Sequence, residues 1–166
     1  MHYRKAEIKD AGSLAYVHVN SWSTTYQGIV SEEYLQSLSV KEREERWVRI
    51  LSDSHHTYAS ETEDGEIVGF VSFGKDRSGE YEGELYAIYL LKDYQGKGIG
   101  KELFEIAIRE LKNMGFNTMW IWVLKENPSK YFYYKYKPAL MKEEILTIGN
   151  EQHLEEGLLL NLNKQE

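Results

Sequence analysis

Apolar residues recur along this chain with two different periods, and the switches between them mark out its elements. Residues 3–8 read as a short first strand. Asp10 then caps a helix whose apolar face is Leu14, Val17, His18 and Trp22, with Tyr26 further along the same side. Gly28 breaks that spacing, and Ser31 opens a second short helix through Leu38. Residues 40–51 are charged except for a stripe of Trp47, Ile50 and Leu51, the pattern of a surface helix with one buried side. Two strand-like runs, 57–62 and 66–75, flank Glu63-Asp64-Gly65, a hairpin signal. A looser turn at Arg77-Ser78-Gly79 leads into a strand over 84–91. The helix that follows, 99–113, buries Leu103, Ile106, Ala107 and Leu111, and Gly115 ends it. Residues 118–125 are β-branched and aromatic, which predicts a buried strand. Asn127 and Pro128 cap and open a short helix, and two last strands, 142–148 and 154–162, are joined by Gly149-Asn150. A strand, helices, three strands, a helix, a strand, a short helix and two strands predict an α/β fold with a mixed sheet flanked by helices. The expectation is one domain spanning 1–166.

Composition narrows the function classes. The chain has 166 residues and no cysteine, which excludes a disulfide scaffold, a thiolate nucleophile and a Cys-ligated metal. No apolar run approaches the ~20 residues needed to cross a bilayer. The opening Met-His-Tyr-Arg-Lys-Ala-Glu has no apolar core of a secretory signal, so the expected location is cytoplasmic, with no membrane partner. A net charge of −7 argues against a nucleic-acid partner. Glu80, Glu82 and Glu84 suit a cationic substrate such as an amine or polyamine. His55-His56 has no third ligand nearby in sequence, so no metal is expected, and Ser23-Thr24-Thr25 has no partner that would make a nucleophile.

Candidate chemistry begins at Gln95-Gly96-Lys97-Gly98-Ile99-Gly100, between the strand 84–91 and the helix 99–113. Alternate glycines remove Cβ atoms where a backbone must turn sharply beside a ligand, and a helix N-terminus directs free N–H groups at the same place. Lys92, Lys97 and Lys101 make the segment locally basic. The spacing is not that of a Walker loop, and the third glycine of a dinucleotide fingerprint would fall on Lys101. A pyrophosphate cradle of another kind is implied.

Gln95, Gly98 and Gly100 match the pattern [RQ]-x-x-G-x-[GA], and Asn127, Pro128, Phe132, Tyr133 and Lys135 match N-P-x-x-x-F-Y-x-K. With Trp22, Tyr26 and Gly28 at the front, the chain resembles the GCN5-related N-acetyltransferase (GNAT) superfamily, most strongly over about residues 80–138. One departure is Lys137-Pro138, where the family's pattern closes the short helix with Gly-Phe.

The resemblance implies a GNAT-like fold and acetyl-CoA as cofactor. It implies a pyrophosphate site at Gln95, Gly96, Lys97, Gly98, Ile99, Gly100 and Lys101, and sheet-like contacts to the pantetheine arm from Ile88, Tyr89 and Leu90. The Leu90 N–H would polarise the thioester, and Asn127 and Tyr133 would be further cofactor contacts. Tyr133 is the candidate general acid, with Tyr134 as the alternative one register step away. Glu84, at the start of the central strand, is the candidate base for a protonated amine. Tyr86 lies on the same face by the period of two, and Ile88 follows it. Trp22, Tyr26, Glu84 and Tyr86 are the candidate acceptor pocket. The implied reaction is direct transfer to a primary amine of a small molecule or peptide, and a homodimer is a family-level expectation. A non-catalytic acyl-CoA-binding module is the alternative.

Overall fold

The computed structural model describes residues 1–165. Seven strands form one sheet in the order β1-β2-β3-β4-β5-β7-β6. They are β1 (His2–Lys5), β2 (His56–Glu61), β3 (Ile67–Lys75), β4 (Gly83–Leu90), β5 (Thr118–Leu124), β6 (Ala139–Ile148) and β7 (Glu151–Asn161). Helices α1 (Ala11–Thr25), α2 (Glu32–Ser37) and α3 (Val40–Leu51) precede β2, α4 (Ile99–Asn113) joins β4 to β5, and α5 (Lys130–Tyr134) follows β5. Among the described residues no helix is long and apolar enough to cross a membrane.

The sheet is covered on both faces. Leu103, Phe104, Ala107 and Leu111 of α4 pack on Val71, Phe73, Leu85, Met119 and Ile121. On the other face, Leu14 and Val17 of α1 and Trp47 and Leu51 of α3 pack on Ala59, Ile67 and Phe70. Each such aliphatic or aromatic side chain contributes roughly 1.5–3 kcal/mol of burial.

Local chemistry moves some expected boundaries. β1 stops at Lys5, and Asp10, expected to cap α1, instead accepts from Arg4 at 2.7 and 3.0 Å and from the Glu7 N–H at 2.8 Å. A bidentate charged pair outweighs one cap bond. Ile50 is 38% exposed and edges a cavity instead of joining the stripe of Trp47 and Leu51. α5 begins at Lys130, later than Pro128, because the Asn127 side chain first closes a turn on the Ser129 N–H at 2.9 Å.

Two irregularities in β4 shape the site. Ser72 opposes Ala87 and Phe73 opposes Leu85, so Tyr86 is an additional residue, a β-bulge. The bulge resets the alternation. Ile88 and Leu90 lie with Leu85 on the α4 face, while Ala87 and Tyr89 lie with Phe70 on the α1 face. The expectation that Ile88 continues the face of Tyr86 is therefore corrected. The second irregularity is the parallel pairing of β4 with β5, which covers only Gly83–Met119, Glu84–Trp120 and Leu85–Ile121. β4 then stays with β3 to Leu90, and β5 stays with β7 to Leu124. The two strands diverge, and a wedge opens between them.

Candidate active site

The wedge is a cavity of about 550 Å³, lined by β4 from Leu85 to Leu90 and β5 from Trp122 to Leu124. The Leu91 N–H donates to the Val68 carbonyl at 2.9 Å. Alternation then turns the N–H groups of Leu90 and Ile88 to the opposite, open edge. The Leu90 carbonyl on that edge accepts from Gln95 Nε2 at 3.1 Å. Gln95 thus ties the glycine loop to the strand end and leaves the Leu90 N–H free.

The loop is built by backbone conformation. Gly96 and Gly98 sit at φ 74° and 83°, a region costly for residues with a Cβ. Gly98 is also the residue from which α4 starts. A Cβ added at Gly96, Gly98 or Gly100 would meet no atom within 4 Å, so the glycines keep open a space in front of the α4 N-terminus. Gln95, Gly96, Gly98, Gly100 and Lys101 all line the cavity. This concave surface of free N–H groups with one cation fits a pyrophosphate. Lys97 turns elsewhere, with Nζ 5.2 Å from the centre of the Tyr94 ring, and the Ile99 side chain is buried in the α4 core.

Phenols crowd the middle of the wedge. Tyr133 is 8% exposed and lines the cavity, with its ring 5.7 Å from Phe104. Burial, with Tyr89 nearby, pushes its hydroxyl well above the ordinary phenol value. Tyr134 is 37% exposed, and its hydroxyl donates to Glu156 instead. Of the two alternatives, the structure brings only Tyr133 to the cavity. Tyr26 accepts from Asn127 Nδ2 at 3.3 Å, and burial raises its hydroxyl as well. Asn127 also holds the turn before α5, so its amide is committed at both ends. The Trp22 ring packs at a tilt against Tyr26, centres 4.4 Å apart, and its indole N–H donates to the Tyr89 hydroxyl at 2.9 Å.

Glu84 does not reach this cavity. Its side chain is 4% exposed, and its carboxylate accepts the Arg77 N–H at 3.0 Å and Nε at 2.9 Å. Each glutamate of the acidic run that suggested a cationic substrate has a partner within the protein. Glu82 accepts the N–H groups of Asn117 and Thr118 at 2.7 and 2.9 Å, and Glu80 pairs with Lys142 at 3.4 Å. Tyr86 does edge the cavity, while its hydroxyl donates to the Lys75 carbonyl.

Among the cavity-wall residues that went unnoticed in the sequence, Glu155 and Ser21 bear on chemistry. Glu155, on β7 opposite Leu124, lines the wedge, and burial plus Glu144 raises its carboxyl above the usual carboxylate range. Ser21 is 1% exposed and lines the same wall, and its Oγ has no partner among the described residues. The signal for Glu155 was its adjacency to Glu156. Neighbours in a strand point to opposite faces, so this pair places one carboxylate on each side of β7.

Comparison with known proteins agrees with this arrangement. The model of the acetyltransferase (GNAT) family matches residues 19–136. An uncharacterized N-acetyltransferase of Bacillus subtilis, YuaI, is 40% identical over 158 residues, covering 93% of this chain and 90% of the relative. A spermidine N(1)-acetyltransferase of Thermoplasma acidophilum is 32% identical, covering 80% of this chain and 84% of the relative. The crystal structure of the PaiA N-acetyltransferase of Thermoplasma acidophilum, in complex with coenzyme A, is 27% identical and superposes with a TM-score of 0.75, over 96% of this chain and 98% of that one. The loop spacing, the wedge beside it and the likeness along the whole chain point the same way: the protein belongs to the GNAT family and is an N-acetyltransferase.

Proposed function

We propose that the protein moves an acetyl group from acetyl-CoA directly to the primary amine of a small molecule or peptide. The observation that carries this reading is the wedge itself. A free backbone edge at Ile88 and Leu90 runs from the glycine loop toward Tyr133 within one cavity. That edge suits an extended amide-bearing arm, which would bond to it as a short additional strand.

Acetyl-CoA supplies the thioester carbonyl and the leaving thiolate. The N–H groups of residues 96–101 and the Lys101 side chain hold the pyrophosphate. The Leu90 N–H polarises the carbonyl, a contribution commonly worth ~3 kcal/mol. Glu155 takes the proton of the incoming ammonium, whose pKa is about 10.4 in a lysine-like amine, directly or through a water. Nitrogen bonds to the acetyl carbon, the carbon–sulfur bond breaks, and Tyr133 returns a proton to the thiolate. The Tyr133 phenol carries its proton at neutral pH, and burial, which raises the hydroxyl further, makes it a donor only to a base that is itself desolvated, as the leaving thiolate would be in this cavity. Trp22 and Tyr26 wall the acceptor side. The spermidine acetyltransferase among its relatives supports an amine acceptor.

The test is acetyl-CoA-dependent thiol release across polyamines, amino acids, aminoglycosides and short peptides. Tyr133→Phe is expected to lower kcat by ~100-fold or more while calorimetry finds coenzyme A affinity nearly intact. Full turnover in that variant would remove Tyr133 from the reaction.

A further inference from the structure

A second cavity, about 520 Å³, lies where β3 ends, against α1 and α3. α3 contributes Arg43, Arg46, Trp47 and Ile50, which are positions i, i+3, i+4 and i+7 of one helix face. Every charged side chain in the lining is basic, in a chain whose net charge is −7. Arg77 is already paired with Glu84 behind it. Arg43, Arg46 and Lys75 form no ion pair among the described residues.

A second observation is independent of charge. Trp47 is 4% exposed, lines this cavity, and its indole Nε1 has no partner among the described residues. His18 and His55 in the same wall each carry a buried, unpartnered Nδ1. These three nitrogens have almost no accessible surface, so a ligand in the cavity would be held by the side chains of Arg43, Arg46 and Lys75, with the Trp47 indole beside them as a reporter of its charge. Burial and the nearby Arg43 and Arg46 hold the His18 imidazole down at about 3, consistent with positive potential gathering here. The position is informative too. Tyr86 and Ala87 line both cavities, so the two meet at the β4 bulge.

We propose that this cavity binds the carboxylate or phosphate end of the acceptor, whose amine reaches the wedge past Tyr86 and Ala87. The inference rests on acetyl transfer for the amine and on the cavity alone for the anion. It separates this chain from a polyamine specialist, because a ligand cationic at every end meets only like charge among the charged side chains of this pocket.

Two measurements test it on the full chain. Indole N–H resonances are followed by NMR, with that of Trp47 identified by its absence in Trp47→Phe, during titration with inorganic phosphate and with ω-amino carboxylates of two to six carbons. The Trp47 resonance is expected to shift saturably, and not to shift in Arg43→Gln/Arg46→Gln. In parallel, kcat/KM is compared between the ω-amino carboxylates and their neutral amides. A carboxylate preference of about tenfold or more is expected, collapsing toward unity in the double variant and partly restored by Arg43→Lys/Arg46→Lys. Turnover with an unmoved Trp47 resonance overturns the anion site and leaves acetyl transfer standing. A Trp47 shift with no turnover of any amine supports the anion site and fails the transfer reading. A Trp47 shift with equal use of amides and carboxylates, or with preference for spermidine, overturns the acceptor's anion as the ligand.

Discussion

Glu155 and Glu156 are adjacent in β7 and sit in opposite environments. Glu156 is 4% exposed and receives the Tyr134 hydroxyl, whereas Glu155 faces the wedge with its carboxyl raised by burial and Glu144. If Glu155 is the base, its ionised form is the active one. Activity then falls as pH drops through its pKa, and that fall begins above the ordinary range for a glutamate. Glu155→Gln is expected to lower kcat/KM by ~100-fold and to erase this acid limb; a pH–rate profile with the limb unchanged assigns it to another group. The sequence pointed to Glu84 because a carboxylate stood at the head of the central strand. What neutralises it is Arg77, folded back from the preceding turn, and periodicity carries no sign of that contact. Gly98, Gly100 and Tyr133 could be picked out by spacing, and the structure brings them to one cavity, since a tight glycine turn and a short helix fix where the backbone passes.

At the scale of elements, legibility followed burial and punctuation. α3 and α4 were read to the residue, since Ser39 caps one with a bond to the Glu42 N–H and Gly98 and Gly115 bracket the other. β6 begins at Ala139, before the residue 142 expected, because this edge strand is exposed along nearly its whole length and has no buried face to pattern it. The bulge at Tyr86 was invisible, since one additional residue leaves composition unchanged and only the pairing reveals it. The missing glycine after α5 has a visible cost. Lys137 sits at φ 55°, where a Cβ is disfavoured by roughly 1–2 kcal/mol. Its N–H still donates to the Tyr134 carbonyl at 3.0 Å, so the turn survives without glycine. Lys137→Gly is expected to stabilise the fold by about 1 kcal/mol, read as a higher urea midpoint at unchanged slope. A lower midpoint would mean that Lys137's side chain more than offsets its strain.

Across the whole molecule, the net charge proved a poor guide to local fields. An acidic chain carries a cavity whose charged lining is basic, and its three suggestive glutamates are bound to backbone and cations. One of these residues links the cavity to global stability. His18, ordinarily near 6.5, is held at about 3, so between these values the unfolded chain binds a proton that the folded one refuses. The stabilising contribution is complete above about pH 6.5 and is lost as pH falls toward 3. Urea midpoints are expected to decline over that window, and His18→Phe to flatten part of the decline; an unaltered slope would place the acid sensitivity elsewhere. Strand order beyond the hairpins was hard to read, because the pairing that joins the halves is parallel, distant in sequence and only three residues long.

That brief pairing leaves the two halves of the sheet in direct backbone contact over three residues only, with α4 packed across both. β1 to β4 form one plate and β5 to β7 another, riveted at Gly83 to Leu85 and splayed beyond. A molecule lying along the free edge of β4 would act as a suture across the split, stiffening the plates while it stays. Each catalytic cycle would then tighten and release the seam, and a substitution that welded it shut would favour holding the product over letting it go.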